Sequence, residues 1–348
     1  MRKRGVFALC ALNLLAGATG WAAAPAGDAA LPSYVAQTEA AGELRVSGAD
    51  TMQALMEDWG RTFQQRHPRA ALRVTHDTKL SAEGFTALLE GQADVVTFVR
   101  EPFRAEQQGF EQKFGYPMRV VNVAGGSYAT QSGTHAIAIY VNAGNPLRGL
   151  TLAQLDAVFS KTLRRGAMQT ITTWGQLGLT GEWAQRPVHV YGMLRQRGSG
   201  NPPGIVNYLS DAMLAGGDWR DDLREQVDRP GEPALHAIVH RVAEDPLGIG
   251  YSGFAYGAPG AKTLALARTG QGPFYAGTAA EVASRDYPLS RRIYLGFNVP
   301  PGQPLSALQR EFLRFVLSRE GQQAVAADHM HFIPLNAQQA AAARAQLD

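Results

Sequence analysis

A short strand, a polar turn and an amphipathic helix recur in that order from residue 44 onward, and this alternation is the tightest limit on the folds open to the chain. Leu44 to Val46 reads as a strand and Ser47 to Asp50 as a turn. Thr51 then opens a helix whose Met52, Leu55, Met56, Trp59 and Phe63 fall at helical spacing. Ala71 to Thr75 reads as a second strand, Ser81 precedes a helix carrying Phe85, Leu88 and Leu89, and Asp94 to Val99 reads as a third strand. This alternation predicts an α/β fold with largely parallel strands. It continues through strands at Arg119 to Val123, His135 to Val141, Val188 to Tyr191 and Ile249 to Phe254. Helices are marked by Leu152, Leu155 and Phe159, by Ile205, Leu209 and Met213, and by Leu235, Ile238, Val239 and Val242. Near the end, Leu308, Phe312, Phe315 and Val316 predict a strongly amphipathic helix.

At 348 residues, 45% hydrophobic and 18% charged, the chain has the material for two ordinary domains with buried cores. Residues 1–24 read as a secretory signal, with Arg2-Lys3-Arg4, an apolar stretch from Val6 to Leu15, and small residues after Trp21. A flexible leader is expected over 25–42, rich in Ala, Pro and Gly. The single cysteine, Cys10, lies in the signal, so the exported chain is expected to carry no disulfide, no thiolate metal site and no cysteine nucleophile, consistent with a bacterial periplasm. Removing the three basic signal residues takes 33 basic residues to 30, against 30 acidic. A balanced chain without a basic run has no electrostatic footprint for nucleic acid.

The chemistry is concentrated in Tyr191 to Gly204, YGMLRQRGSGNPPG, just ahead of a helical pattern. Gly198 and Gly200 let the backbone approach a ligand, Ser199 offers a hydroxyl, and Arg195 or Arg197 can fork onto two oxygens of an anion such as phosphate. In α/β sheets, ligands bind where helix N-termini converge at the carboxyl ends of strands. Three turns fit: Ser47 to Thr51, Thr78 to Ser81, and Arg195 to Asn201. One hydroxyl residue at a helix start is ordinarily just a cap. Three such turns with an arginine point to an oxyanion.

These segments resemble the periplasmic phosphate-binding proteins of the PstS kind, the solute-binding subunits of phosphate ABC importers, over roughly residues 43–336. The resemblance is carried by Ser47 to Met52 with Trp59, Phe63 and Pro68, by Gly84 to Asp94, by Asn145 to Leu152 and Trp174 to Leu177. Later come Ile249 to Tyr251, Tyr287 to Leu289, Gly321-Gln322 and Ile333 to Leu335, in family order. It implies a type II-like periplasmic-binding-protein fold of two lobes, each a mixed, mainly parallel sheet flanked by helices, with the ligand cleft between them. Lobe 1 is expected at 43–133 plus 252–348 and lobe 2 at 134–251. It further implies a non-catalytic monomer that binds phosphate without cofactor or metal and delivers it to a permease. Position by position, the implied ligand residues are Thr51, Met52, Ser81, Arg195, Ser199, Gly200 and Asn201, with Arg195 chosen over Arg197, and with Arg100 and Thr97 as further candidates.

Two departures stand out. Asn201-Pro202-Pro203 follows Gly-Ser-Gly where the family has threonine, and the prolines remove two donors. Val99 stands where the family places an Asp or Ser able to accept the proton that phosphate carries. Thr97, Asp50, Asp77 and Glu101 are the candidates to replace that acceptor, and an exported interaction or adhesion protein on the same fold is the alternative that these departures motivate. Other chemistries fit poorly. His236 with His240, and His329 with His331, lack the Glu of HExxH. Arg197 occupies the position that a nucleophile elbow needs as glycine, and Pro203 stands where a dinucleotide loop needs its third glycine.

Overall fold

The computed structural model describes residues 27–131, 134–195 and 203–347, so the signal reading over 1–24 lies outside it. The chain first lays down β1 (Gly42–Gly48), α1 (Gln53–Arg66), β2 (Ala70–Val74), α2 (Ser81–Leu89), β3 (Val95–Phe98), α3 (Arg104–Phe114) and β4 (Arg119–Ser127). It then crosses into β5 (Ile137–Asn142), β6 (Gly149–Thr151), α4 (Leu152–Phe159), β7 (His189–Met193), α5 (Gly204–Ala212), β8 (Arg224–Gln226) and α6 (Ala234–Glu244). The same excursion continues with β9 (Gly248–Gly253), β10 (Ala261–Thr263), β11 (Ala265–Ala267) and α7 (Ala279–Ser284). A second crossing leads to β12 (Arg292–Phe297), α8 (Ala307–Val316), α9 (Arg319–Ala327), β13 (Phe332–Ile333) and α10 (Ala337–Arg344).

Two sheets with separate cores result. The first runs β13-β4-β12-β3-β1-β2, with β2, β1 and β3 parallel and the remaining pairs antiparallel. The second runs β10-β5-β9-β7-β8, with β9, β7 and β8 parallel, and β6 pairs with β11 beside it. Among the parallel strands, β1 and β2 in lobe 1 and β7 in lobe 2 lead into the three turns anticipated from sequence, as βα units require. The apolar faces anticipated for α1 and α8 meet in the first core, where the Phe63 and Phe312 rings pack edge-on at 5.6 Å between centroids. Each such fully buried side chain contributes about 1.5–3 kcal/mol.

The boundaries differ from expectation in two places. The return crossing lies near residue 290, not at 252: β10 pairs with β5, β11 with β6, and Tyr287 and Leu289 are buried in the second core. The strand expected at Ile249 to Phe254 is β9, and the chain does not leave the second lobe after it but turns back onto β5 through β10. The leader, expected to be flexible, is anchored from Asp28 onward. Leu31 and Ala40 are buried, the Tyr34 hydroxyl donates to Glu311 Oε2 (2.8 Å), and Asp28 Oδ2 accepts from Ala337 N–H (2.9 Å). Its Ala-Pro-Gly composition concealed these few anchoring side chains.

The two crossings run side by side: Gly126 N–H donates to Arg291 O (3.0 Å) and Ile137 N–H to Leu289 O (3.1 Å). Lobe 1 is itself shaped by glycine. Gly48, with φ at +144°, has room for no side chain, and a Cβ on Gly84 would lie 2.4 Å from Gly48 Cα. Helix α2 therefore rests backbone to backbone on the end of β1. Gly84→Ala is expected to lower the unfolding free energy by about 1–3 kcal/mol through overpacking. Gly109→Ala, in open space on α3, should raise it by up to about 1 kcal/mol. Urea denaturation of the two variants checks the contrast, and equal midpoints would refute the close-packing account.

Candidate functional site

A cavity of about 570 Å³ opens between the lobes. Lobe 1 supplies Ala49 to Thr51, Lys79 to Ala82, Val99, Arg100 and Phe103; Gly204 and Ile205 face them from the start of α5, and Thr134 and Arg291 come from the two crossings. Two of the three turns anticipated from sequence thus meet on one wall.

Asp50 to Met52 form a 3₁₀ turn ahead of α1, a slightly later helix start than the sequence implied. The Asp50 N–H is held by Lys79 O (3.1 Å), which ties this turn to the 75–79 loop. Thr78 Oγ1 accepts from Gly48 N–H (3.1 Å), and the Gln53 amide donates to Thr75 O and Thr78 O, so both turns share one frame. Within it, Thr51 Oγ1 is buried and makes no hydrogen bond among the described residues. An unsatisfied buried hydroxyl is destabilising unless something else uses it.

Ser81 opens α2 and is buried. Its Oγ accepts from Val99 N–H (3.3 Å), which leaves the hydroxyl hydrogen available to donate. Glu83 Oε2 takes the N–H groups of Lys79 (2.6 Å) and Leu80 (3.1 Å). The N–H groups of Ser81 and Ala82, both on the cavity wall, have no hydrogen bond among the described residues. Free amides at a helix N-terminus carry partial positive charge toward the cavity.

The other anticipated residues are placed differently. Met52 is fully buried and its N–H is spent on Ala49 O (3.1 Å), which removes it as a donor. Thr97 is buried behind Gly48 and off the cavity wall. Arg100 lines the cavity, but its two Nη atoms grip Glu106 at 2.8 and 2.6 Å, and its guanidinium lies 3.6 Å from the centre of the Phe103 ring. Its charge is thereby matched within lobe 1. Arg195 follows β7 and is off the cavity wall; Nε donates to Glu225 Oε1 (2.6 Å) and Nη1 to the Arg220 carbonyl. Ser199, Gly200 and Asn201 lie outside the described residues.

Of the proposed acceptors, Asp50 lines the cavity and Glu101 faces Arg291; Val99, which they were to replace, contributes only an apolar wall beside its backbone, whose carbonyl accepts from the Thr134 hydroxyl. Sequence reasoning missed Lys79, Thr134 and Arg291. Arg291 follows Tyr287 to Leu289, a landmark already noted, but nothing in the sequence placed that segment on the cleft. Tyr208, beneath Arg291, is buried and its phenol is pushed far above the usual range by desolvation, so it stays a neutral donor to Ser290 O (2.9 Å). His236 and His240 touch ring to ring at 4.0 Å on α6, with Glu232 3.5 Å from His240; among the described residues no group of three or more such side chains is arranged to hold a metal ion.

A PBP superfamily domain model matches residues 35–320. The chain is 36% identical over 330 residues to the phosphate-binding protein PstS of Pseudomonas aeruginosa, covering 94% of each chain. It belongs to the PstS family. Solved structures similar to this PstS-family chain include PstS from Borrelia burgdorferi, with a TM-score of 0.52 and 14% identity, covering 84% of this chain and 99% of that one. An ABC-type phosphate transport receptor from Vibrio cholerae matches with a TM-score of 0.50 and 18% identity, covering 83% and 99%. These likenesses bear out the two-lobed α/β fold.

Replacing Thr51 by valine removes the orphaned hydroxyl at nearly constant volume. Thr51→Val is expected to leave thermal stability unchanged or raise it, by up to about 1–3 kcal/mol. A clear drop in the calorimetric melting temperature would mean that the hydroxyl already has a partner.

Proposed function

We propose that the protein is a periplasmic, non-catalytic receptor that captures inorganic phosphate in the interlobe cleft and delivers it to an ABC importer. The observation that carries this reading is the convergence on one cavity of the unpartnered Thr51 hydroxyl, the Ser81 hydroxyl and the free amides opening α2. These donors share their wall with one acid, the exposed Asp50, and together outnumber it, as an oxygen-rich anion requires. The P. aeruginosa relative, named a phosphate-binding protein, supports the choice of ion. Among the described residues no helix is long and apolar enough to cross a membrane.

In this reading Thr51 and Ser81 donate hydroxyl hydrogens and Ser81 and Ala82 donate amides. From lobe 2, Arg195, held by Glu225 off the cavity wall, supplies its guanidinium once the lobes close, and Ser199, Gly200 and Asn201 are the further contacts that the family resemblance implies. Micromolar binding needs about −8 kcal/mol, and charge-assisted hydrogen bonds contribute roughly 1.5–3 kcal/mol each, so four or five contacts suffice. The cavity is far larger than one tetrahedral ion, so a dry site requires the lobes to close on it. Binding energy drives that closure.

Titration calorimetry on the exported form tests the assignment. Phosphate is expected to bind and to resist competition by excess sulfate, and Ser81→Ala to weaken phosphate binding by about tenfold or more. Absence of phosphate binding, or equal binding of sulfate, would refute the receptor reading.

A further inference from the structure

Two arginines line the cavity, and they differ in how their donors are used. Arg100 is matched by the two-pronged contact with Glu106. Arg291 is not: Nε and Nη2 both reach a single oxygen, Glu101 Oε2, at 3.3 and 3.1 Å, and Nη1 makes no hydrogen bond among the described residues. Charge-assisted pairs normally sit near 2.7–2.9 Å, so this guanidinium is only loosely held by its carboxylate. Yet it is well buried, its side chain 5% exposed. Its plane is fixed by the Tyr208 ring, 4.5 Å from the guanidinium carbon, and that ring is pinned by the phenol bond to Ser290 O. A rigid, buried guanidinium with unfilled donors on a cavity wall is prepared for an anion.

We propose that Arg291 is a second, specificity-determining contact for the bound oxyanion, donating from Nη1 while Glu101 holds its other edge. The inference rests on the reading of the cleft as a phosphate site. It adds a cation where the chain has Val99 in place of a proton acceptor: more positive charge on that wall favours the more highly charged form of the ion. Arg291 also stands on the return crossing, where its carbonyl takes the Gly126 N–H. Binding to it therefore connects the ion to the crossing strands that join the lobes.

Calorimetry with inorganic phosphate on four forms of the exported protein decides the matter: wild type, Arg291→Met, Glu101→Gln, and the double variant Glu101→Gln/Arg291→Met. Arg291→Met alone is expected to weaken binding by roughly ten- to a hundredfold, but part of that loss could come from the carboxylate left unpaired at Glu101. The double variant separates the two, and it should remain at least about tenfold weaker than Glu101→Gln. Recovery of wild-type affinity in the double variant would mean that Arg291 only neutralises Glu101, and would overturn the proposal. Glu101→Gln should bind phosphate more tightly than wild type, because it releases a competitor for the guanidinium. That variant keeps Arg291 and serves as the test if Arg291→Met fails to fold; weaker or unchanged binding by it counts against the proposal. A wild type that binds no phosphate defeats the receptor reading and this inference together, whereas a binding wild type with an indifferent Arg291→Met defeats this inference alone.

Discussion

Backbone contact between Gly48 and Gly84 is the constraint on which the site depends. The helix can lie this close to the strand end only because residue 84 carries no Cβ, while Gly48 itself is required by its positive φ and by Thr97 on the neighbouring strand. That contact places the opening of α2 beside the 50–52 turn, and the 75–79 loop then locks the two with hydrogen bonds to Gly48, Asp50 and Gln53. Two helix starts that would otherwise each cap themselves are brought to one wall. The unpartnered Thr51 hydroxyl follows from this geometry, because a threonine at that position points where no described residue reaches.

The electrostatics follow a second rule: the described arginines at and beside the cleft are each offered a carboxylate. Arg100 pairs with Glu106, Arg195 with Glu225 and Arg291 with Glu101. Burying a bare guanidinium is prohibitive, and a buried pair adds little to stability by itself. The pairs instead hold planar donors in fixed orientations, so that little side-chain entropy is lost when a ligand arrives. They also grade the donors, since a tightly forked arginine has less to give than a loosely held one.

Much of this was legible in the sequence. The helical spacing of Met52, Leu55, Met56, Trp59 and Phe63, and of Leu308, Phe312, Phe315 and Val316, located the faces that meet in the first core. The hydroxyls at 51 and 81 were recognised because strand, polar turn and helix start are local patterns. What escaped was whatever depends on long-range pairing. Arg291 enters the cleft because β12 inserts between β3 and β4, and no local pattern encodes that insertion. The extent of lobe 2 was misjudged for a similar reason: β10 and β11 are three residues each, too short for an alternation to show. Met52 looked like a backbone donor, but a 3₁₀ turn uses its N–H internally.

The position of β12 also bears on the order in which the molecule can assemble. It lies in the interior of the first sheet, flanked by β3 and β4, yet it begins 165 residues after β4 ends, at 292 against 127. A chain threaded N-terminus first would present α1, α2 and their strands long before their central partner exists, while the second lobe, continuous from β5 to α7, could close on its own. The first lobe thus cannot complete its sheet until the last quarter of the polypeptide has emerged, so its two halves must wait for each other while the second lobe forms between them.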